Sequence, residues 1–180
     1  MGLDDLNALS PTVAMRAFLQ CCGSTKWAHA MAAARPFATI EAVYAAADKI
    51  ENSLEPSDWL EAFRAHPRIG ERAAEERAGK AGRAGKAGRV DASASWSNEE
   101  QAGARGASEA VRERLALRNR DYEGRFGYIF IVCATGMTAD EMLAALERRL
   151  AHDAGDELSV AEAEQRKITR LRIAKLLSVE

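Results

Sequence analysis

Cysteine is scarce in this chain: Cys21, Cys22 and Cys133 are the only three in 180 residues. An odd count with two neighbours makes a poor disulfide framework, so a stapled secreted scaffold is excluded and a reducing, cytoplasmic setting is expected. Aromatic residues make up 6% of the chain. With alanine abundant, that favours helices over sheets. No sign of charge dominates, since 25 Lys and Arg face 27 Asp and Glu for a net charge of −2. The basic excess of a dedicated nucleic-acid binder is therefore missing, and no nucleic-acid partner is expected. No apolar run approaches the ~20 residues of a membrane span. The opening "MGLDDLNALS" carries acidic residues and lacks the apolar core of a signal peptide. The closing "LLSVE" is not a peroxisomal address. What remains is a chain 47% hydrophobic and 29% charged, long enough for one domain over 1–180 with a real core.

Helical periodicity is the dominant positive signal. Ile40, Val43, Tyr44, Ala47 and Ile50 share one helical face. "SDWLEAFRAH" is expected to start at a capping Ser57 and groups Trp59, Leu60 and Phe63. "TADEMLAALERRL" opens with Thr138 and Glu141 at capping-box spacing and aligns Leu143, Leu146 and Leu150. "SVAEAEQRKITRLRIAKLL" repeats the device with Ser159 and Glu162 before Ile168, Leu171 and Leu176. The expected architecture is all-α, a single compact domain of about six to eight helices.

Two stretches interrupt it. "GKAGRAGKAGRV", Gly79 to Val90, places glycine at every third residue, which defeats a helix; a flexible Gly/basic/Ala loop is expected at about 78–92. "FGYIFIVCATG", Phe126 to Gly136, is apolar, aromatic and β-branched and reads locally as a strand. A lone strand has no partner in a helical chain. It is expected to be a buried extended segment whose backbone groups are open to a ligand.

Three places could carry chemistry. His66 precedes Pro67 in "EAFRAHPRIGE", and proline pushes its predecessor out of the α region. The imidazole is thus expected at a helix end, aimed by a fixed turn, whereas Arg68 reads as a surface charge. His29 and His152 stand at no ligand spacing to His66, and no metal site is expected. In "WSNEEQ", Ser97 and Glu100 have capping-box spacing, while a helix N-terminus also seats anions; Glu100 and Gln101 would then share a cleft. Cys133 reads either as a small buried hydrophobe or as a nucleophile paired with His66.

Taken in order, "HPRIGE", "WSNEEQ", "FGYIFIVCATG" with "TADEMLAALERRL", and "ITRLRIAKLL" resemble the 2-oxo-4-hydroxy-4-carboxy-5-ureidoimidazoline (OHCU) decarboxylase family of urate degradation. "LNALSPTVAMRAFLQCCG" is similar to that family's first helix. The resemblance implies an all-helical homodimer and a cofactor-free decarboxylation of OHCU to (S)-allantoin. It implies His66 as the catalytic proton donor, with Pro67 beside the substrate, and Glu100 as the second catalytic group. Ser97 and Gln101 complete the family's S-x-x-E-Q pattern. The backbone of Phe130, Ile131, Val132, Cys133 and Ala134 matches the ring-binding segment. Arg172 matches the substrate-holding arginine, with Arg170 as the alternative. "CCGSTKWAHAM" departs from the family and leaves Trp27 without a role, and the Gly/basic/Ala loop looks like an insertion.

Other readings remain open at this point. A Cys133/His66 acyl-transfer enzyme would lose activity to a thiol alkylator. A helical binding module using the basic loop would bind nucleic acid with steep salt dependence. A member without activity would bind purine metabolites without turning them over.

Overall fold

Capping chemistry sets most element boundaries. The computed structural model describes residues 1–69, 96, 99–100, 103 and 107–178. Among them are eight α-helices: α1 (Leu3–Ala8), α2 (Pro11–Cys22), α3 (Thr25–Ala33), α4 (Ile40–Glu51), α5 (Pro56–Arg64), α6 (Glu109–Phe126), α7 (Ala139–Arg149) and α8 (Ala154–Leu176). No described residue belongs to a β-strand, so the all-α expectation holds. No helix among the described residues is long and apolar enough to cross a membrane. The loop at 78–92, Gly70, Ser97 and Gln101 lie outside the described residues.

At α7 the expected capping box forms: the Thr138 hydroxyl accepts from the Glu141 N–H at 3.3 Å, and the Thr138 N–H donates to the Glu141 carboxylate at 2.7 Å. Two other starts differ from expectation. Helix α5 begins at Pro56, a residue with a φ already suited to the first helical position. The Glu55 N–H donates to Asp58 Oδ2 at 2.9 Å, so Ser57 lies inside the helix. Helix α8 begins at Ala154, five residues before Ser159. The Ser159 hydroxyl instead donates back to the Gly155 carbonyl at 3.1 Å, a bond that lets serine sit within a helix.

The described chain divides into two compact units, Met1–Ala65 with Glu162–Glu180, and His66–Ala161. In the first, Phe18 meets Trp27 edge to face at 5.9 Å and Phe37 at 6.3 Å. Trp27, which had no role in the sequence reading, is thus a fully buried core residue. Each such side chain contributes roughly 1.5–3 kcal/mol by leaving water. The unusual "CCGSTKW" resolves as punctuation. Gly23 ends α2 at φ +87, where a Cβ would lie 2.6 Å from the Ala65 Cβ. Ser24 then caps α3 by accepting from the Trp27 N–H. Val43 and Ala47, with Glu51, form the buried stripe of α4, whereas Ile40, Tyr44 and Ile50, expected on the same face, are half-buried.

The second unit has its own core of Ile69, Leu115, Tyr122, Phe130, Ala134, Ala139, Met142, Leu143, Ala145 and Leu146. Helix α6 runs through Phe126, one residue into the stretch expected to be extended, and stops at a left-handed Gly127. From 127 to 138 the chain carries neither helix nor strand pairing.

Candidate active site

His66 stands two residues beyond the last residue of α5, where Pro67 forbids the helix to continue. Two anchors in the second unit fix the turn that follows. Ile69 is buried in the core, and the Arg68 guanidinium grips the Glu123 carboxylate of α6 with Nε at 2.6 Å and Nη2 at 2.9 Å. Arg68 is a surface charge, as expected, with a tethering role that its sequence position did not reveal. His66 and Pro67 are half-buried, and the His66 Nε2 atom is itself buried.

Trp96, Glu99 and Glu100 are helical, with Glu99 exposed and Glu100 only 7% exposed. Three residues on, Gly103 lies so close to the turn before α7 that a Cβ there would sit 1.9 Å from the Met137 carbonyl oxygen. Only glycine allows that approach, which pins the chain after Glu100 to the end of the 127–138 segment. The sequence reading did not single out Gly103.

Within that segment Phe130, Ile131 and Ala134 are buried, whereas Val132 and Cys133 are half-buried. Phe130 packs edge to face on Tyr122 at 5.2 Å. Among the described residues, the backbone groups of Phe130 and Val132 enter no hydrogen bond. The Ile131 carbonyl accepts from Arg149 Nη1 at 2.6 Å, and the Arg149 guanidinium lies over the Phe130 ring at 4.6 Å. Arg149 is 5% exposed and Glu157 is 0% exposed. Glu157 Oε1 accepts from Arg149 Nε at 2.8 Å and Nη2 at 2.5 Å, and from the Tyr122 hydroxyl; Oε2 pairs with His152 Nδ1 at 2.8 Å. Burial, followed by the bond to Glu157, pushes the Tyr122 phenol well above its usual range. It therefore stays a proton donor. Sequence analysis missed both Arg149 and Glu157. A signal existed, because Arg149 follows Met142 by seven residues and Leu146 by three, on the apolar stripe of α7.

His66, Glu100 and Phe130 to Ala134 all belong to the second unit. The two candidate arginines belong to the first and differ sharply. Arg170 has 59% of its side chain exposed, stacks over Tyr44 at 4.2 Å and lies 4.0 Å from Asp48. Arg172 is 2% exposed and donates Nη1 to the Gln20 carbonyl at 3.5 Å. None of the three cysteines is in a disulfide. Burial pushes the Cys22 thiol up to about 12 and Cys21 higher still, so neither is a thiolate at neutral pH.

These features can be set beside known proteins. The chain is 40% identical over 158 residues to an Arabidopsis thaliana uric acid degradation bifunctional protein, covering 88% of this chain and 45% of that one. It thus spans less than half the length of the plant protein. A Haloferax volcanii 2-oxo-4-hydroxy-4-carboxy-5-ureidoimidazoline decarboxylase is 27% identical over 183 residues, covering 100% of this chain and 98% of its own. Among solved structures, OHCU decarboxylase crystallised in the presence of (S)-allantoin superposes with a TM-score of 0.72 at 36% identity, over 91% of this chain and 98% of that one. The OHCU decarboxylase family pattern matches residues 7–174, and the chain belongs to that family.

Proposed function

We infer that this chain decarboxylates OHCU, releasing CO2 and delivering (S)-allantoin in urate degradation. The observation that carries the reading is the family match over residues 7–174, which contains every residue assigned below. Membership favours this reaction over Cys133/His66 acyl transfer and over a binding module.

The chemistry asks little beyond placement. The carboxylate leaves a carbon next to a C=N bond, which accepts the electron pair as CO2 departs. The nitrogen takes up a proton, and the resulting enol then loses its hydroxyl proton as the ureido carbon takes one on a single face. That electron sink lies in the substrate, so no cofactor is needed. His66 donates the proton to the ureido carbon. Its fixed turn and buried Nε2 suit a donor that must face one side of a ring. Glu100, a buried carboxylate, orients the substrate's hydroxyl and ureido N–H groups. On the family resemblance, Pro67, Ser97 and Gln101 are proposed as further substrate-binding residues. The backbone at 130–134 pairs with the ring amides, and the open groups of Phe130 and Val132 suit that task. Arg172 is proposed on the family resemblance to hold the substrate; its side chain is buried, whereas Arg170 is largely exposed. A homodimer is proposed on the family resemblance, and a cytoplasmic location on an odd cysteine count with no disulfide.

The test follows OHCU decay after generating it from urate, with and without the chain. His66→Asn is expected to lower kcat about 10²- to 10⁴-fold, with Glu100→Gln also losing activity. A decay rate that the wild-type chain leaves unchanged would contradict the assignment.

A further inference from the structure

We propose that Arg149 is a positioning residue for the decarboxylation, locking the ring-binding segment through the Ile131 carbonyl while Glu157 locks Arg149. The proposal rests on the reading above, that the 130–134 backbone binds the substrate ring.

Four observations support it. First, the segment has no strand partner and no helix, so its backbone is not held by regular pairing. Something else must define its conformation. Second, Arg149 holds the segment at two adjacent residues, by Nη1 on the Ile131 carbonyl and by the face of the guanidinium on the Phe130 ring. Third, the arginine cannot swing away. Its Nε and Nη2 are both spent on Glu157 Oε1, and Glu157 is anchored in turn by Tyr122 and His152. A buried guanidinium with a fixed fork keeps its geometry better than a flexible ammonium. Fourth, the contact divides the backbone by role. The Ile131 carbonyl is occupied from within the second unit, whereas Phe130 and Val132 keep their backbone groups uncommitted among the described residues. Val132 is also one of the two half-buried positions in the segment.

Arg149 thus acts on the substrate only through the backbone it orients. A misplacement of the ring's partners by a fraction of an ångström weakens binding without touching the proton donor. The expected signature is therefore a raised KM with kcat kept, the reverse of losing His66.

The experiment compares steady-state OHCU kinetics of the wild-type chain, Arg149→Lys and His66→Asn, with folding checked by melting. Lysine keeps the charge and loses the planar fork. Arg149→Lys is expected to raise KM about 10- to 100-fold while kcat stays within about threefold. Unchanged KM and kcat in a folded Arg149→Lys would overturn the proposal and leave the decarboxylase reading standing. So would a fall in kcat at unchanged KM. A wild-type chain without activity on OHCU would overturn both. If Arg149→Lys does not fold, Tyr122→Phe decides, because it removes one bond to Glu157 and keeps every charge. A KM rise of about fivefold supports positioning, and none overturns it.

Discussion

The two compact units bury charge in opposite ways. In the second, Glu157 is fully buried and both of its oxygens are engaged, by Arg149 and Tyr122 on one side and by His152 on the other. In the first, Glu51 is also buried, but only its Oε2 has a partner, Arg166 at 3.4 Å. Glu51 Oε1, Gln165 Oε1 and Trp27 Nε1 have none among the described residues. A satisfied network specifies one geometry, whereas a half-satisfied one leaves its carboxyl ready to take a proton. The satisfied network holds the segment proposed to bind the substrate.

The largest expected effect comes from breaking the satisfied side. Glu157→Ala strands the Arg149 charge in the core and should cost about 3–5 kcal/mol in denaturant unfolding. A loss well under 1 kcal/mol would erase the distinction between the units.

On the other side, Glu51 is pushed up to about 7, by burial first, with Asp48 adding and Arg166 and Arg170 opposing. Between its usual 4.5 and about 7 the folded form holds the proton that the unfolded chain has released. Stability therefore falls as pH rises through that window, by roughly 3 kcal/mol at most, and is level above it. Glu51→Gln should flatten that slope when melting is compared at pH 5 and pH 8. An unaltered slope would place the titration elsewhere.

Gly103→Ala tests how tightly the chain after Glu100 is held, since a Cβ would clash with the Met137 carbonyl. A loss of about 1–3 kcal/mol is expected, together with lower activity. The smallest effect belongs to Arg68→Ala. Its bidentate pair with Glu123 is half-exposed, so stability should change by about 0.2–1 kcal/mol.

Much of this was legible in the residues themselves. Thr138 and Glu141 announced the start of α7 because a capping box is local chemistry. Pro67 announced the end of the helix before His66 for the same reason. The starts of α5 and α8 were misplaced because serine suits both a cap and, through a back-bond like that of Ser159, a helix interior. Within the proposed site, His66 and Glu100 were recognisable as residue types that do chemistry. Arg149 and Glu157 were not, because their meaning arises only when the 127–138 segment folds back between α6 and α7 and offers the Ile131 carbonyl. The need for glycine at position 103 likewise depends on a backbone 34 residues away. Local rules read caps and turns, while contacts that are distant in sequence must be seen in the fold.

The most direct test of the central claim is circular dichroism of OHCU generated in the cuvette from urate, with the wild-type chain and with His66→Asn. Rapid growth of the single-enantiomer (S)-allantoin signal is expected with the wild type, and its loss in the variant. A slow, optically silent decay to racemic product in the presence of the wild-type chain would contradict the claim.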